Sequence, residues 1–312
     1  MRILITGGSG FIGSHIAEYF QGKADVRVLD NLRTGRRRNL AGLKVECIEG
    51  SVTDVESVRR AVDGVDYVFH LAALVSVPES MQRPLECVDL NVVGLLNVLE
   101  ASAAAGVRKL CLSSSAAIYG NNPTVPKRED MLPEPRSPYA VTKLDGEYYC
   151  QQFTEAGRLE TAALRYFNVF GPRQDPAGAY AAAVPFFIQR ALSGEPLMIH
   201  GDGLQTRDFI YVKDIVAANV FAATTAGVTG VFNVGYGDAI SVLELAQRII
   251  ALAGSPSTIC HAPERAGDVR HSRASVEKLA AAGFRPSGSL EAGLQETLNH
   301  FRTTLGLTSS RI

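Results

Sequence analysis

The 312-residue chain predicts an α/β protein: a doubly wound parallel sheet with a smaller, partly interleaved C-terminal α/β lobe. Three observations carry that expectation. Short apolar runs alternate with amphipathic stretches through the first half, as strand–helix–strand units require. The runs are near-continuous in apolar character, as central parallel strands buried on both faces must be. A glycine-rich turn follows the first run directly.

Taken in order, RILIT (2–6), VRVLD (26–30), VECIE (45–49), DYVFH (66–70), KLCLSS (109–114) and ETAALR (160–165) read as strands. Helical periodicity falls between them near 12–20, 54–62, 84–105 and 138–156. Beyond residue 165 the pattern changes. Helices are expected near 181–193, 212–225, 241–253 and 288–304, separated by loops rich in Gly, Pro and charge, with short strands at 197–199 and 231–234. The expected division is a sheet domain over 1–165 and a second lobe mainly over 166–312, with part of 208–235 returning to the sheet.

A formal net charge of −1 gives no electrostatic case for nucleic acid or an anionic membrane as partner. The five cysteines and six histidines are scattered, with no C-x-x-C and no metal-ligand spacing, so no metal is expected and the thiols read as reduced. MRILITGG enters a strand pattern at once, leaving no room for a signal peptide. No apolar run is expected to reach bilayer-spanning length. The expectation is a soluble, cytoplasmic protein.

The first strand runs into TGGSGFIGS, with Gly7, Gly10 and Gly13 at three-residue spacing. Such glycines permit a tight turn, let backbone amides approach a pyrophosphate and allow close helix–strand packing. The following helix offers its positive N-terminus to the phosphates. The second strand ends in Asp30, placed to accept from an adenosine ribose hydroxyl, which selects NAD over NADP. A nucleophile elbow, G-x-S-x-G, needs glycine where this chain has Phe11. The basic run Arg36-Arg37-Arg38 reads as a solvated loop beyond the site. This is a Rossmann-like dinucleotide signature.

SPYAVTKL (137–144) sets Tyr139 four residues ahead of Lys143, on one helix face. A free phenol titrates too high to act as a base at neutral pH, and a nearby ammonium favours the phenolate. Taken alone, such a pair is common on solvated helices.

Together with SSSAAIYG upstream, these features resemble the short-chain dehydrogenase/reductase superfamily. More closely, the chain resembles its extended branch of UDP-hexose 4-epimerases, including the type acting on N-acetylated sugars. The likeness runs through TGGSGFIGSH, DNLRTG, HLAA, NVVGLLNVLEA, SPYAVTK, LRYFNVFGPRQ, GDGLQTRDFIYVKD and RAGDVRHS. It implies that Ser115, Tyr139 and Lys143 are catalytic, with Lys143 also holding the nicotinamide ribose. Gly7, Gly10, Phe11, Ile12, Gly13, Asp30, Asn31, Thr34, Gly35, Val52, Leu71, Ala72, Ala73, Asn91 and Tyr166 match cofactor positions. Ser51 stands where the family often has Asp, so the adenine contact differs there. Asn168, Arg207, Arg265 and Asp268 match positions holding the diphosphate and uridine, and Ala182, Val184, Ile199 and Ser272 complete the implied substrate set.

By the same resemblance, Tyr139 takes the proton of a sugar 4-hydroxyl while hydride passes from C4 to NAD, and Ser115 relays the proton. The 4-keto sugar then turns over and takes the hydride back on its other face. Dehydrating relatives place an Asp-Glu pair, and decarboxylating ones a Glu, where this chain has Ala116 and Ala117, which have no titratable group. Small Ser272 resembles enzymes that admit a 2-acetamido group. UDP-GlcNAc and UDP-GalNAc are therefore the expected pair, with UDP-Glc and UDP-Gal alongside. The alternatives are an epimerase of UDP-glucuronate or another nucleotide sugar, a net oxidoreductase, and a non-catalytic NAD-binding regulator. The resemblance also implies a homodimer through the 84–105 and 138–156 helices, whose apolar residues equally suit an ordinary core.

Overall fold

The structure is a computed structural model that describes residues 1–176, 182–264 and 269–307. In the first half the strands are β1 (Arg2–Thr6), β2 (Asp25–Asp30), β3 (Glu46–Glu49), β4 (Tyr67–His70), β5 (Lys109–Ser115) and β6 (Glu160–Tyr166). The second half adds β7 (Asn168–Phe170), β8 (Leu197–His200), β9 (Thr206–Arg207), β10 (Phe209–Tyr211), β11 (Gly230–Val234), β12 (Ile240–Ser241), β13 (Ile259–Ala262) and β14 (His271–Ser272). The helices are α1 (Phe11–Tyr19), α2 (Val55–Val62), α3 (Val77–Gln82), α4 (Pro84–Val88), α5 (Gly94–Ala104), α6 (Pro138–Glu155), α7 (Ala183–Leu192), α8 (Val212–Thr224), α9 (Val242–Ala253), α10 (Glu277–Ala281) and α11 (Leu290–Thr304).

Seven strands make one parallel sheet in the order β11-β6-β5-β4-β1-β2-β3. The order reverses between β1 and β4, and in open sheets of this kind ligands bind in the crevice at that switch point. Thr6 and His70, register partners at the strand ends, are joined there by a 2.9 Å side-chain hydrogen bond. Alternation along each strand divides the core. Ile3, Ile5, Val26 and Val28 face α1 and α8, whereas Leu4, Leu29, Val68 and Leu110 face α2, α5 and α6.

The second lobe has its own core. Phe170, Val184, Phe187, Ile199, Tyr211, Leu245, Ile249, Leu294 and Leu298 gather α7, α9 and α11 around three small sheets, β10-β7, β12-β9-β14 and β13-β8. β11 leaves this half of the sequence and closes the edge of the main sheet against β6.

One expectation is corrected. α4, a π turn at Asp89–Val93 and α5 run on as one helical stretch, Pro84–Ala104. By length and a mean hydropathy of 1.4 that stretch is apolar enough to cross a membrane, which the sequence reading had not expected of any segment. It packs on α2 and α6 and supplies Leu95, Val98 and Leu99 to the core, which explains its apolar character.

Candidate active site

A cleft of about 1030 Å³ opens at the C-terminal edge of the sheet. Its floor is the glycine turn. Gly7 has φ +71°, and a Cβ there would sit 2.8 Å from the Ala72 nitrogen, while a Cβ on Gly13 would sit 2.4 Å from the Gly7 carbonyl. Only glycine allows β1, the loop after β4 and α1 to meet this closely. α1 starts after Gly10 with no side-chain cap, so its first-turn amides are left for the cleft. At the end of β2, Asp30 is oriented by the Ser9 and Leu32 amides, which donate to its two oxygens at 2.9 and 2.8 Å. The carboxylate lines the cleft with acceptor capacity to spare.

The opposite wall joins the end of β5 to α6. Ser137 caps α6 by accepting from the Ala140 amide, Pro138 follows at a first-turn position, and Tyr139 is thereby fixed in the first turn. Ser115 accepts from the Ala117 amide at 3.1 Å and lines the same cleft as Tyr139, whose pKa it lowers. Lys143 donates to the Ser113 carbonyl at 2.7 Å and stands 5.8 Å from the centroid of the Tyr139 ring.

These groups do not titrate as the sequence led us to expect. Burial raises the Tyr139 phenol above its ordinary value, and the group opposing it is Ser115, not Lys143. The ammonium is turned to a backbone carbonyl. Burial lowers Lys143 itself to about 8, with Cys87 and Glu147 working against the fall.

Of the residues singled out in the sequence, Gly7, Gly10, Phe11, Ile12, Gly13, Asp30, Asn31, Thr34, Gly35, Ser51, Val52, Leu71, Ala72, Ala73, Ser115, Tyr139 and Tyr166 line this one cleft. Lys143 stands just behind them. Asn91 lies inside the π turn, where Leu74 and Thr142 occupy its amide, so its side chain braces the loop after β4. In the second lobe Arg207 and Ser272 are register partners on adjacent strands, and Asn168 donates to the Asp208 carbonyl next in sequence to Arg207. Ala182 is exposed at the start of α7. Val184 and Ile199, each 1% exposed, have their side chains in the lobe's core. Arg265 and Asp268 lie outside the described residues.

The reading of Arg36-Arg37-Arg38 as a loop beyond the site is also corrected. Arg36 and Arg38 line the cleft, Arg36 pairs with Asp175 at 3.5 Å, and only Arg37 turns away, to Glu49. α11 also brings His300, Phe301 and Thr304 to the same cleft, a contact without a local signal in sequence. Asp208 escaped notice too. It is fully buried, accepts from the Tyr236, Gly237 and Ala274 amides, and ties three loops of the second lobe together. Its place in GDGLQTRDF, beside Arg207, was the available signal.

A glycine cradle that a Cβ would fill, a carboxylate at the end of β2 and a cleft of this size fit a dinucleotide. Comparison with known proteins agrees. A profile of the NAD dependent epimerase/dehydratase family matches residues 3–235. Over 310 residues the chain is 37% identical to a UDP-glucose 4-epimerase of Mycolicibacterium smegmatis, covering 97% of this chain and 99% of the relative. The fold is similar, at a TM-score of 0.93 and 39% identity, to UDP-N-acetylglucosamine 4-epimerase from Methanobrevibacter ruminantium in complex with UDP-N-acetylmuramic acid, covering 97% of this chain and 98% of that one. It is similar also to Thermus thermophilus UDP-glucose 4-epimerase in complex with NAD, at a TM-score of 0.88 and 38% identity, covering 97% and 99%. The chain belongs to the NAD dependent epimerase/dehydratase family: it is a nucleotide-sugar isomerase of the extended short-chain dehydrogenase/reductase branch, with NAD as its cofactor.

Proposed function

We propose that the protein inverts C4 of a UDP-hexose, with UDP-GlcNAc and UDP-GalNAc as its main pair and UDP-Glc and UDP-Gal as a second. The observation that carries this reading is that Ser115 and Tyr139 line one cleft, next to Ala116 and Ala117, whose side chains have no proton to give or take. A 4-hydroxyl seated on that pair has a base within reach. Dehydration and decarboxylation would need a further acid or base there.

Bound NAD supplies the hydride acceptor and donor, and a positive ring that favours the phenolate. Tyr139 accepts the 4-hydroxyl proton and returns it after the keto sugar has turned over. Ser115 keeps the sugar oxygen and the phenol aligned: the Ala117 amide takes one of its two acceptor positions, leaving one acceptor and the O–H donor for those two partners. Lys143, held by the Ser113 carbonyl, steadies the cofactor ribose from behind Tyr139. Arg207, with Arg265, binds the diphosphate, for which the guanidinium fork is suited.

Ser272 supports the acetylated pair. It is small and sits beside Arg207 in the strand register, and a similar structure is that of a UDP-N-acetylglucosamine 4-epimerase. For assembly we propose a homodimer through α3–α6, where Leu85, Met81 and Tyr148 are 84, 61 and 52% exposed. A cytoplasmic location suits five free thiols.

The test is to incubate the purified protein with a panel of UDP-sugars and no added cofactor, then repeat with Ser272→Tyr. Interconversion of both pairs without NADH build-up is expected, with the variant losing only the acetylated pair. Equal activity of the variant on both pairs would remove Ser272 from the sugar pocket, and stoichiometric NADH would replace the epimerase with a net oxidoreductase.

A further inference from the structure

We infer that Glu147 and Arg165 form a positioning pair that acts through Ser114 to hold Ser115 against Tyr139; the inference rests on the epimerase reading above. Both side chains are buried, each 3% exposed. The Arg165 fork grips both Glu147 oxygens, Nε to Oε1 at 2.9 Å and Nη2 to Oε2 at 2.7 Å. Ser114 donates to the same Oε1 at 2.5 Å. The remaining Arg165 arm donates to the Tyr119 hydroxyl at 2.9 Å, which in turn donates to Asn233 on β11 at 2.7 Å.

The arrangement spans the elements that carry the chemistry. Two successive β5 residues are tied to α6 by hydrogen bonds, the Ser113 carbonyl to Lys143 and the Ser114 hydroxyl to Glu147, and Ser115, next in sequence, shares the cleft with Tyr139 and lowers its pKa. Tyr139, Lys143 and Glu147 follow one another at four-residue spacing, along one face of the helix. Arg165 immediately precedes Tyr166, which lines the cleft.

Stability does not explain the pair. Two desolvated charges are commonly no better than well-packed apolar residues of the same volume. What they supply is geometry. A planar fork fixes the carboxylate in two directions, and the carboxylate fixes Ser114. A displacement on the order of 1 Å at such a centre costs about 10²-fold in rate.

The experiment uses the NAD-bound protein and three variants, Ser114→Ala, Ser114→Thr and Glu147→Gln. Ser114→Ala removes one hydroxyl and leaves the ion pair intact, so it keeps the test alive should Glu147→Gln fold poorly. The readouts are kcat, KM for the converted UDP-hexose, and the ionisation of Tyr139, isolated by ultraviolet difference against Tyr139→Phe. The charged and titratable neighbours of that phenol are Lys143, Cys87 and Tyr166; the Ser114 variants leave all three untouched, whereas Glu147→Gln also removes a charge that raises the Lys143 pKa.

In Ser114→Ala and Glu147→Gln, kcat should fall roughly 10- to 100-fold, with KM within about twofold. Tyr139 should ionise at higher pH in Ser114→Ala, because loosening Ser115 weakens the interaction that lowers its pKa. Ser114→Thr keeps the hydroxyl and should recover most of both effects. A Ser114→Ala protein with kcat within about threefold of the parent, or with an unmoved tyrosine titration, would overturn the positioning role. A parent protein inert towards every UDP-hexose would instead overturn the epimerase reading, and the tyrosine titration would still decide the positioning role.

Discussion

The half that carries the glycine turn and the second lobe are held together by different means. In the first half most of the candidate site residues lie at the ends of regular elements: Gly7 follows β1, Asp30 ends β2, Ser115 ends β5 and Tyr139 is in the first turn of α6, with Lys143 one turn further in. Their placement follows from strand order, and one core on each face of the sheet fixes it. In the second lobe the strands beside Arg207 and Ser272 are two residues long and could not stand alone. Position there comes from a single buried carboxylate, Asp208, whose acceptor bonds gather the 236–237 loop and the Ala274 segment around β9. A site divided in this way should fail in two separable modes, chemistry and cofactor on one side, substrate grip on the other.

The largest effect should come from the first side. Tyr139→Phe keeps the ring and removes the proton acceptor, so turnover should drop about 10²- to 10⁴-fold with NAD content unchanged. A variant keeping more than about a tenth of the parent kcat would show that another group is the base.

Asp208→Ala tests the other side. Three amides lose their acceptor, and an unsatisfied buried donor costs about 1–3 kcal/mol. KM for UDP-sugars should rise on the order of 10- to 100-fold while NAD still copurifies in full. Loss of NAD in step with the rise in KM would show that the two regions are not separable.

A smaller change is expected from Asp30→Ala. With the ribose acceptor gone, NAD should bind roughly tenfold more weakly and discrimination against NADP should relax. Unchanged titrations of stripped protein with both dinucleotides would place Asp30 off the ribose.

The mildest probe is pH. Burial brings Lys143 down to about 8. The ammonium donates to the Ser113 carbonyl, so its loss should make kcat/KM fall above that pH, up to roughly tenfold per unit for a single proton, while protonation of Tyr139 shapes the acid limb. A profile still level at pH 10 would separate Lys143 from the active form.

These regions were also unequally legible in the sequence. The β1–glycine–α1 unit, Asp30 and the Tyr139–Lys143 pair could be read because their signals are local: a strand period, a fixed glycine spacing and one helical turn. α3 escaped because it is only six residues long, too short for periodicity to show, although Ser76 and Pro78 mark its start. The π turn around Asn91 has no sequence signal of its own. The ends of α11, the Arg36–Asp175 contact and the Asp208 hub depend on which loops meet across long separations, which composition and spacing do not encode. Tyr139 and Lys143 were found, but their coupling was misjudged, because burial and the Ser113 carbonyl decide it and neither is visible in SPYAVTKL.

In the proposed epimerisation the hydrogen leaving C4 is held by the enzyme and returned to the same carbon. The direct measurement uses UDP-GlcNAc carrying deuterium at C4, incubated with the purified protein and no added cofactor, with the product read by mass and proton spectra. The expected product is UDP-GalNAc that retains the deuterium at C4, with no NADH released. Product carrying solvent hydrogen at C4 would contradict it.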